Sequence, residues 1–159
     1  MKKPKIKIQE ESKMLYYDKG EFIKGIDSEL ANNESNDCSV RCLASATGVT
    51  YEEAYEYCKK YFKREDRDGA EGFIKTLDIR EGLPFLGNCT YKRFGKYCFH
   101  NRISIKDFVD KHYFGTYMIC IENHVFTISN GIIVGNIEDS IKVDREIIYV
   151  YKIIKNGKD

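Results

Sequence analysis

Cys38 sits inside the run NESNDCSVRCLASATG, residues 33–48, with Asn36 and Asp37 directly before it and Cys42 four residues on. A thiol attacks a carbonyl only after losing its proton. A helix N-terminus favours that thiolate, because its unpaired N–H groups and dipole present positive charge. A neighbouring imidazole completes the activation, first as an ion-pair partner and then as the acid that protonates a departing amine. The chain has three histidines, His100, His112 and His124. His124 opens a strand-like run just after Glu122-Asn123, so its ring can face an edge or a cleft. His100 falls in a loop, and His112 near the end of an exposed amphipathic helix.

Other chemistry competes for these residues. A cysteine in a buried helix is commonly a small apolar filler. Cys38 and Cys42, at i and i+4, also lie on one helix face and, with Cys58 or a histidine, would begin a zinc site. A closed structural zinc site needs four ligands, and the six cysteines contain no second closely spaced pair. Cys42, Cys58, Cys89, Cys98 and Cys120 read as core or incidental thiols. The Cys–His reading requires no cofactor.

The elements that must position this pair follow from patterning. Residues 37–47 read as a helix, with Asn36 as N-cap, Gly48 as stop and Val40, Leu43, Ala44 and Thr47 at helical spacing. Thr50 and Glu53 form a capping box for a second helix over 51–62, striped by Ala54, Tyr57, Cys58 and Tyr61. A third helix is expected over 71–80, and a strand or hairpin over 90–99. Ser104 with Asp107 opens a short helix that stops at Gly115. Strands are expected over 116–121, 124–129, 132–136 and 145–154. Residues 4–24 are strand material, with a turn at Asp18-Lys19-Gly20. Helices that lead and an antiparallel sheet that follows make an α+β domain.

A Cys–His pair is usually oriented by an Asn or Asp bonded to the far imidazole nitrogen. Asn130-Gly131 is a strong two-residue hairpin signal that pairs Ser129 with Ile132. Counting outward puts Gly135, Ile137 and Asp139 on the His124 face and Asn136 on the other. A bulge at Gly135 would swing Asn136 beside His124. Asn136 is therefore the first candidate and Asp139 the second, with two plain sheet-edge polar residues as the alternative. Asn36 or Asn32 could supply an amide to an oxyanion beside the Cys38 N–H. Asn36 serving only as a helix cap is the competing reading.

Bulk properties bound the rest. A chain of 159 residues suits one domain over 1–159, with 1–30 as an N-terminal strand or hairpin extension. A net charge of +1 exerts no strong pull toward nucleic acid or membrane. The start, MKKPKIKIQ, lacks the apolar core of a signal peptide. The cysteines therefore read as reduced thiols of a cytoplasmic protein.

A Cys heading the central helix, a His opening a later strand and an Asn or Asp on the next strand is the order of papain-like cysteine peptidases. The segments NDCSVRCLASATGVTYEEAY (36–55) and FGTYMICIENHVFTISNGIIVGN (114–136) carry the resemblance. The chain is similar to compact members such as bacteriocin-leader-processing peptidases, and to small phage-encoded proteins of that fold. The closing run EIIYVYKI resembles the last strand of such domains. The resemblance implies a papain-like fold in which N-terminal helices pack on a C-terminal antiparallel sheet. It implies Cys38 as nucleophile, His124 as base and acid, and a peptide or protein substrate. Where those proteins carry an Asp, this chain has Gly135. That departure keeps a second expectation open: an inactive papain-like domain that binds or inhibits a partner, for instance a phage protein directed at a host factor in the host cytoplasm.

Overall fold

The computed structural model describes the backbone of residues 7–9 and 14–18, and residues 30, 37–65, 72–135 and 142–155 in full. Helix α1 spans Cys38–Thr47, α2 Tyr51–Tyr61, α3 Phe73–Ile79 and α4 Ile105–Lys111. The strands are β1 Lys7–Gln9, β2 Met14–Asp18, β3 Cys89–Arg93, β4 Ile103–Ser104, β5 Thr116–Ile121, β6 His124–Ser129, β7 Ile132–Gly135, β8 Glu146–Ile147 and β9 Tyr149–Lys155. Among the described residues the order is mixed α+β, with α1, α2 and α3 ahead of most of the sheet.

Local signals set most boundaries. Thr50 Oγ1 accepts the Glu53 N–H at 3.2 Å, and Ser104 Oγ accepts the Asp107 N–H at 3.1 Å, so both expected caps form. Gly48 closes α1 at φ +80°, a left-handed conformation that glycine adopts without strain, and its N–H reaches the Ala44 carbonyl at 2.8 Å. The cap at the other end differs from expectation. Asp37 holds that position and α1 starts at Cys38, while Asn36 lies outside the described residues.

Seven strands form one sheet in the order β1-β2-β7-β6-β5-β9-β3. Asn130 and Gly131 both take positive φ, +47° and +76°, as a tight hairpin demands. The β6–β7 rungs Ser129↔Ile132, Ile128↔Ile133 and Thr127↔Val134 follow the pairing counted outward from that turn. Two features depart from expectation. The sheet is not wholly antiparallel, because β2 runs parallel to β7, with Asp18 beside Gly135. The antiparallel partner of β2 is β1, and the turn expected at Asp18-Lys19-Gly20 falls on residues 19 and 20, outside the described ones. The closing strand breaks at Ile148, whose N–H turns to the Cys120 carbonyl at 2.8 Å, and Glu146–Ile147 pair with β4 in a separate ribbon.

Both faces of the sheet are covered, which explains its long apolar runs. One core holds Val40, Leu43 and Ala44 of α1, Tyr51 and Cys58 of α2 and Leu77 of α3, against Met118, Cys120, Val125 and Tyr151. The other packs Ile105, Phe108 and Val109 of α4 against Ile119, Phe126, Ile128 and Val150. Alternation along β5 and β6 divides their residues between the two.

Helix α1 seats on β6 through small residues, Ala44, Ser45 and Ala46, and through one buried polar joint. Ser45 Oγ and Thr127 Oγ1 are 2.8 Å apart, and Thr127 Oγ1 donates to the Cys42 carbonyl at 3.1 Å. Thr127 is fully buried, so these bonds have no solvent substitute. Thr127→Val should destabilise the fold by about 1 kcal/mol, because it removes the bonds from β6 to Ser45 and the Cys42 carbonyl and leaves the Ser45 hydroxyl only its own-helix bond to that carbonyl, 3.1 Å away. Adding Ser45→Ala should change stability little further, because the joint to β6 is already broken. Urea unfolding midpoints of the two variants and the wild type check both statements.

Candidate active site

The site forms where the first turn of α1 meets the start of β6. His124 and Ile121 flank the two-residue Glu122-Asn123 turn and pair across it. In a two-residue hairpin the flanking pair is hydrogen-bonded and the next pair is not. The Val125 amide therefore faces away from β5. It donates instead to the Cys38 sulfur. The His124 ring makes a second hydrogen bond to the same sulfur.

The two side chains approach from opposite sides. Cys38 packs at the margin of the α1–α3 core, with Val125 on that face of β6. His124 shares the opposite face with Phe126 and Ile128 by strand alternation. The Phe126 ring stacks on the imidazole with centroids 5.7 Å apart and planes at 22°. Thiol and imidazole thus meet at the start of β6, at the margin of the two cores. Both residues are partly exposed, so a reactant can reach them.

The electrostatics single out Cys38. Burial pushes its thiol up. The His124 hydrogen bond, the Val125 N–H and the imidazole's charge more than offset this, while the Asp37 carboxylate opposes them. The balance leaves the thiol below its ordinary value. Burial without such donors has the reverse effect elsewhere. It pushes Cys58 up to about 12 despite Ser39 and Arg64 nearby, and it raises Cys120 and Cys89 as well. None of the six cysteines is paired in a disulfide, and Cys42, Cys58, Cys89 and Cys120 are buried.

Asp37 is the neighbour that sequence reasoning passed over. It is only 6% exposed, and its Oδ2 accepts the Tyr51 hydroxyl and the Arg41 Nε–H, each at 2.8 Å. The four-residue spacing of Asp37 and Arg41 on one helix face was the available signal. Asn136, Asp139, Asn36 and Asn32 lie outside the described residues. Gly135 lies in β7 and brings no side chain.

The other histidines stand apart. His100 is exposed in its loop, as expected. His112 is not on an exposed helix surface: it caps α4 half-buried, hydrogen-bonded to the Tyr97 hydroxyl at 2.7 Å and ringed by Phe94, Phe108 and Tyr117. Burial, with Lys96 and Lys111 nearby, holds its pKa below the ordinary value, which marks a packed imidazole. Among the described residues no group of three or more His, Cys, Asp or Glu side chains is placed to hold a metal. No helix among them is long and apolar enough to cross a membrane.

Searches among family models, curated proteins and solved structures find no match to this chain.

Because the thiolate reacts and the thiol does not, Cys38 labelling by iodoacetamide should rise with pH through a midpoint below the ordinary thiol value. His124→Ala removes the strongest opposing influence to burial, so it should move that midpoint upward and slow labelling at pH 7 by about tenfold or more. Peptide mapping by mass spectrometry reads both effects. Cys58 and Cys120 should stay unlabelled until the chain unfolds.

Proposed function

We propose that the protein is a cysteine-dependent hydrolase, a peptidase or amidase of papain-like architecture, with Cys38 as nucleophile and His124 as its acid–base partner. The hydrogen bond between these two side chains, 86 positions apart in a chain of 159 residues, is the observation that carries the reading. A thiol held below its ordinary value at a helix start, beside a partly exposed imidazole at a strand start, is the arrangement such chemistry requires.

The steps follow from the atoms present. The Cys38 thiolate attacks the carbonyl carbon of a peptide or amide. Negative charge gathers on the carbonyl oxygen, where N–H groups of the first turn of α1 are oriented to receive it. The C–N bond then breaks, the His124 imidazolium gives its proton to the amine, and a thioester to Cys38 remains. His124, now neutral, takes a proton from water as it attacks the thioester, releasing a carboxylic acid and restoring the thiol. In this reading Asn136 or Asp139 orients the imidazole, and Phe126 limits its rotation from the apolar side.

Gly135 favours a second reading, a binding domain that keeps the fold without turnover. Its position on the His124 face offers no carboxylate to orient the ring.

An activated ester separates the two. p-Nitrophenyl acetate should give a burst approaching one nitrophenolate per protein, with the acetyl group mapped to Cys38. Cys38→Ala should abolish the burst, and His124→Ala should slow acylation by about 100-fold or more. Absence of an acyl group on Cys38 in the folded wild type overturns the hydrolase reading in favour of the binding domain.

A further inference from the structure

We propose that Arg41 and Tyr51 are positioning residues for the Cys38–His124 pair: acting through Asp37, they hold its carboxylate charge-balanced and clear of the first turn of α1. The proposal rests on the hydrolase reading and concerns what keeps that site usable.

An aspartate just before a helix ordinarily turns its carboxylate onto the N–H groups of the second and third helical residues. Asp37 occupies that place and makes no such bond. Its backbone sits at φ −106°, ψ 25°, away from the extended conformation from which a side chain caps. Oδ2 instead accepts the Arg41 Nε–H and the Tyr51 hydroxyl, both at 2.8 Å. The Arg41 guanidinium in turn lies 5.5 Å from the centroid of the Tyr51 ring. The three side chains form one joint between α1 and α2, and Tyr51 within it is completely buried.

Two consequences bear on Cys38. First, the amides that would stabilise an oxyanion are not claimed by the nearest carboxylate. A released Asp37 would cap them, and its charge would stand where the oxyanion's must develop. Second, a carboxylate one residue from the nucleophile works against the thiolate, and Arg41 supplies the compensating charge. Among the described residues, His124 and the Val125 N–H from β6 favour the Cys38 thiolate and Asp37 from its own element disfavours it; Arg41 and Tyr51 reach it only through Asp37, Cys58 of α2 and Cys120 of β5 are raised in part by Cys38, and Arg64 acts on Cys58. Among these, Asp37 is the only carboxylate and His124 the imidazole it opposes.

The pH profile of Cys38 alkylation tests this in the full chain, since a purely structural joint would not move it. Arg41→Met should shift the labelling midpoint upward and lower the rate at pH 7 about tenfold. Tyr51→Phe should shift it the same way by a smaller factor, about threefold. Asp37→Asn alone should move the midpoint downward, and Asp37→Asn with Arg41→Met should return the rate to within about threefold of wild type. The double variant carries the test, because loss of both charges together rescues a charge-balance defect and cannot repair lost packing. Should Arg41→Met fail to fold, Arg41→Gln, alone and with Asp37→Asn, gives the same comparison. A folded Arg41→Met or Tyr51→Phe protein with an unshifted profile overturns the proposal, as does an unrescued double variant. A wild-type Cys38 that labels like an ordinary thiol is a different failure and removes the hydrolase reading itself.

Discussion

The placement of α1 along β6 rests on one buried polar joint. Thr127 bonds to Ser45 and to the Cys42 carbonyl from a position with no access to water. Neither partner can slide by a residue without leaving a hydroxyl unpaired in hydrocarbon, which costs more than the bond contributes when formed. Thr127 lies three residues from His124, and Cys42 one helical turn from Cys38. Fixing the joint therefore fixes how far the first turn of α1 extends past the end of the strand. Apolar packing alone would hold the helix against the sheet but would tolerate small shifts along its axis.

That placement explains why the thiol titrates differently from its neighbours. Cys38, Cys58 and Cys120 lie close enough to influence one another, and burial acts on all of them in the same direction. What separates Cys38 is access to donors at the start of β6. The hairpin parity that turns the Val125 amide away from β5 gives the sulfur one donor, and the residue before it gives the imidazole. One residue's slip in β6 would exchange Val125 and His124 between faces and remove both.

The parts of this arrangement legible in the sequence are those written in local chemistry. Strands β5 and β6 match their expected limits, because alternation and the flanking turn residues define both ends. The hairpin register follows from Asn130-Gly131 alone. Cys38 and His124 could be selected because one heads a helix and the other opens a strand. Long-range choices were not legible. Nothing local in MLYYD states that β2 will run parallel to β7, and nothing near Ile148 states that Glu146–Ile147 will leave the sheet to pair with β4. His112 looked exposed because its partners, Phe94, Tyr97 and Tyr117, come from other segments. Asp37 looked like an ordinary residue ahead of a helix, since Tyr51, which fixes its carboxylate, belongs to the next one.

The same contrast bears on how the site and its surroundings divide their labour. A buried carboxylate costs several kcal/mol unless charge and hydrogen bonds compensate it. Asp37 is compensated twice over, by a guanidinium and a hydroxyl, yet a hydrophobic residue of similar size would avoid the cost altogether. A purely structural account of α1 and α2 therefore leaves the presence of this ionic joint unexplained. Its location supplies a reason. The carboxylate lies one residue before the thiol, and its partners hold it where it neither caps the helix nor dominates the sulfur. The imidazole can then govern the protonation of Cys38. In this account the fold retains a group that disfavours the thiolate under restraint, and the restraint is contributed by the two helices whose packing also defines the core.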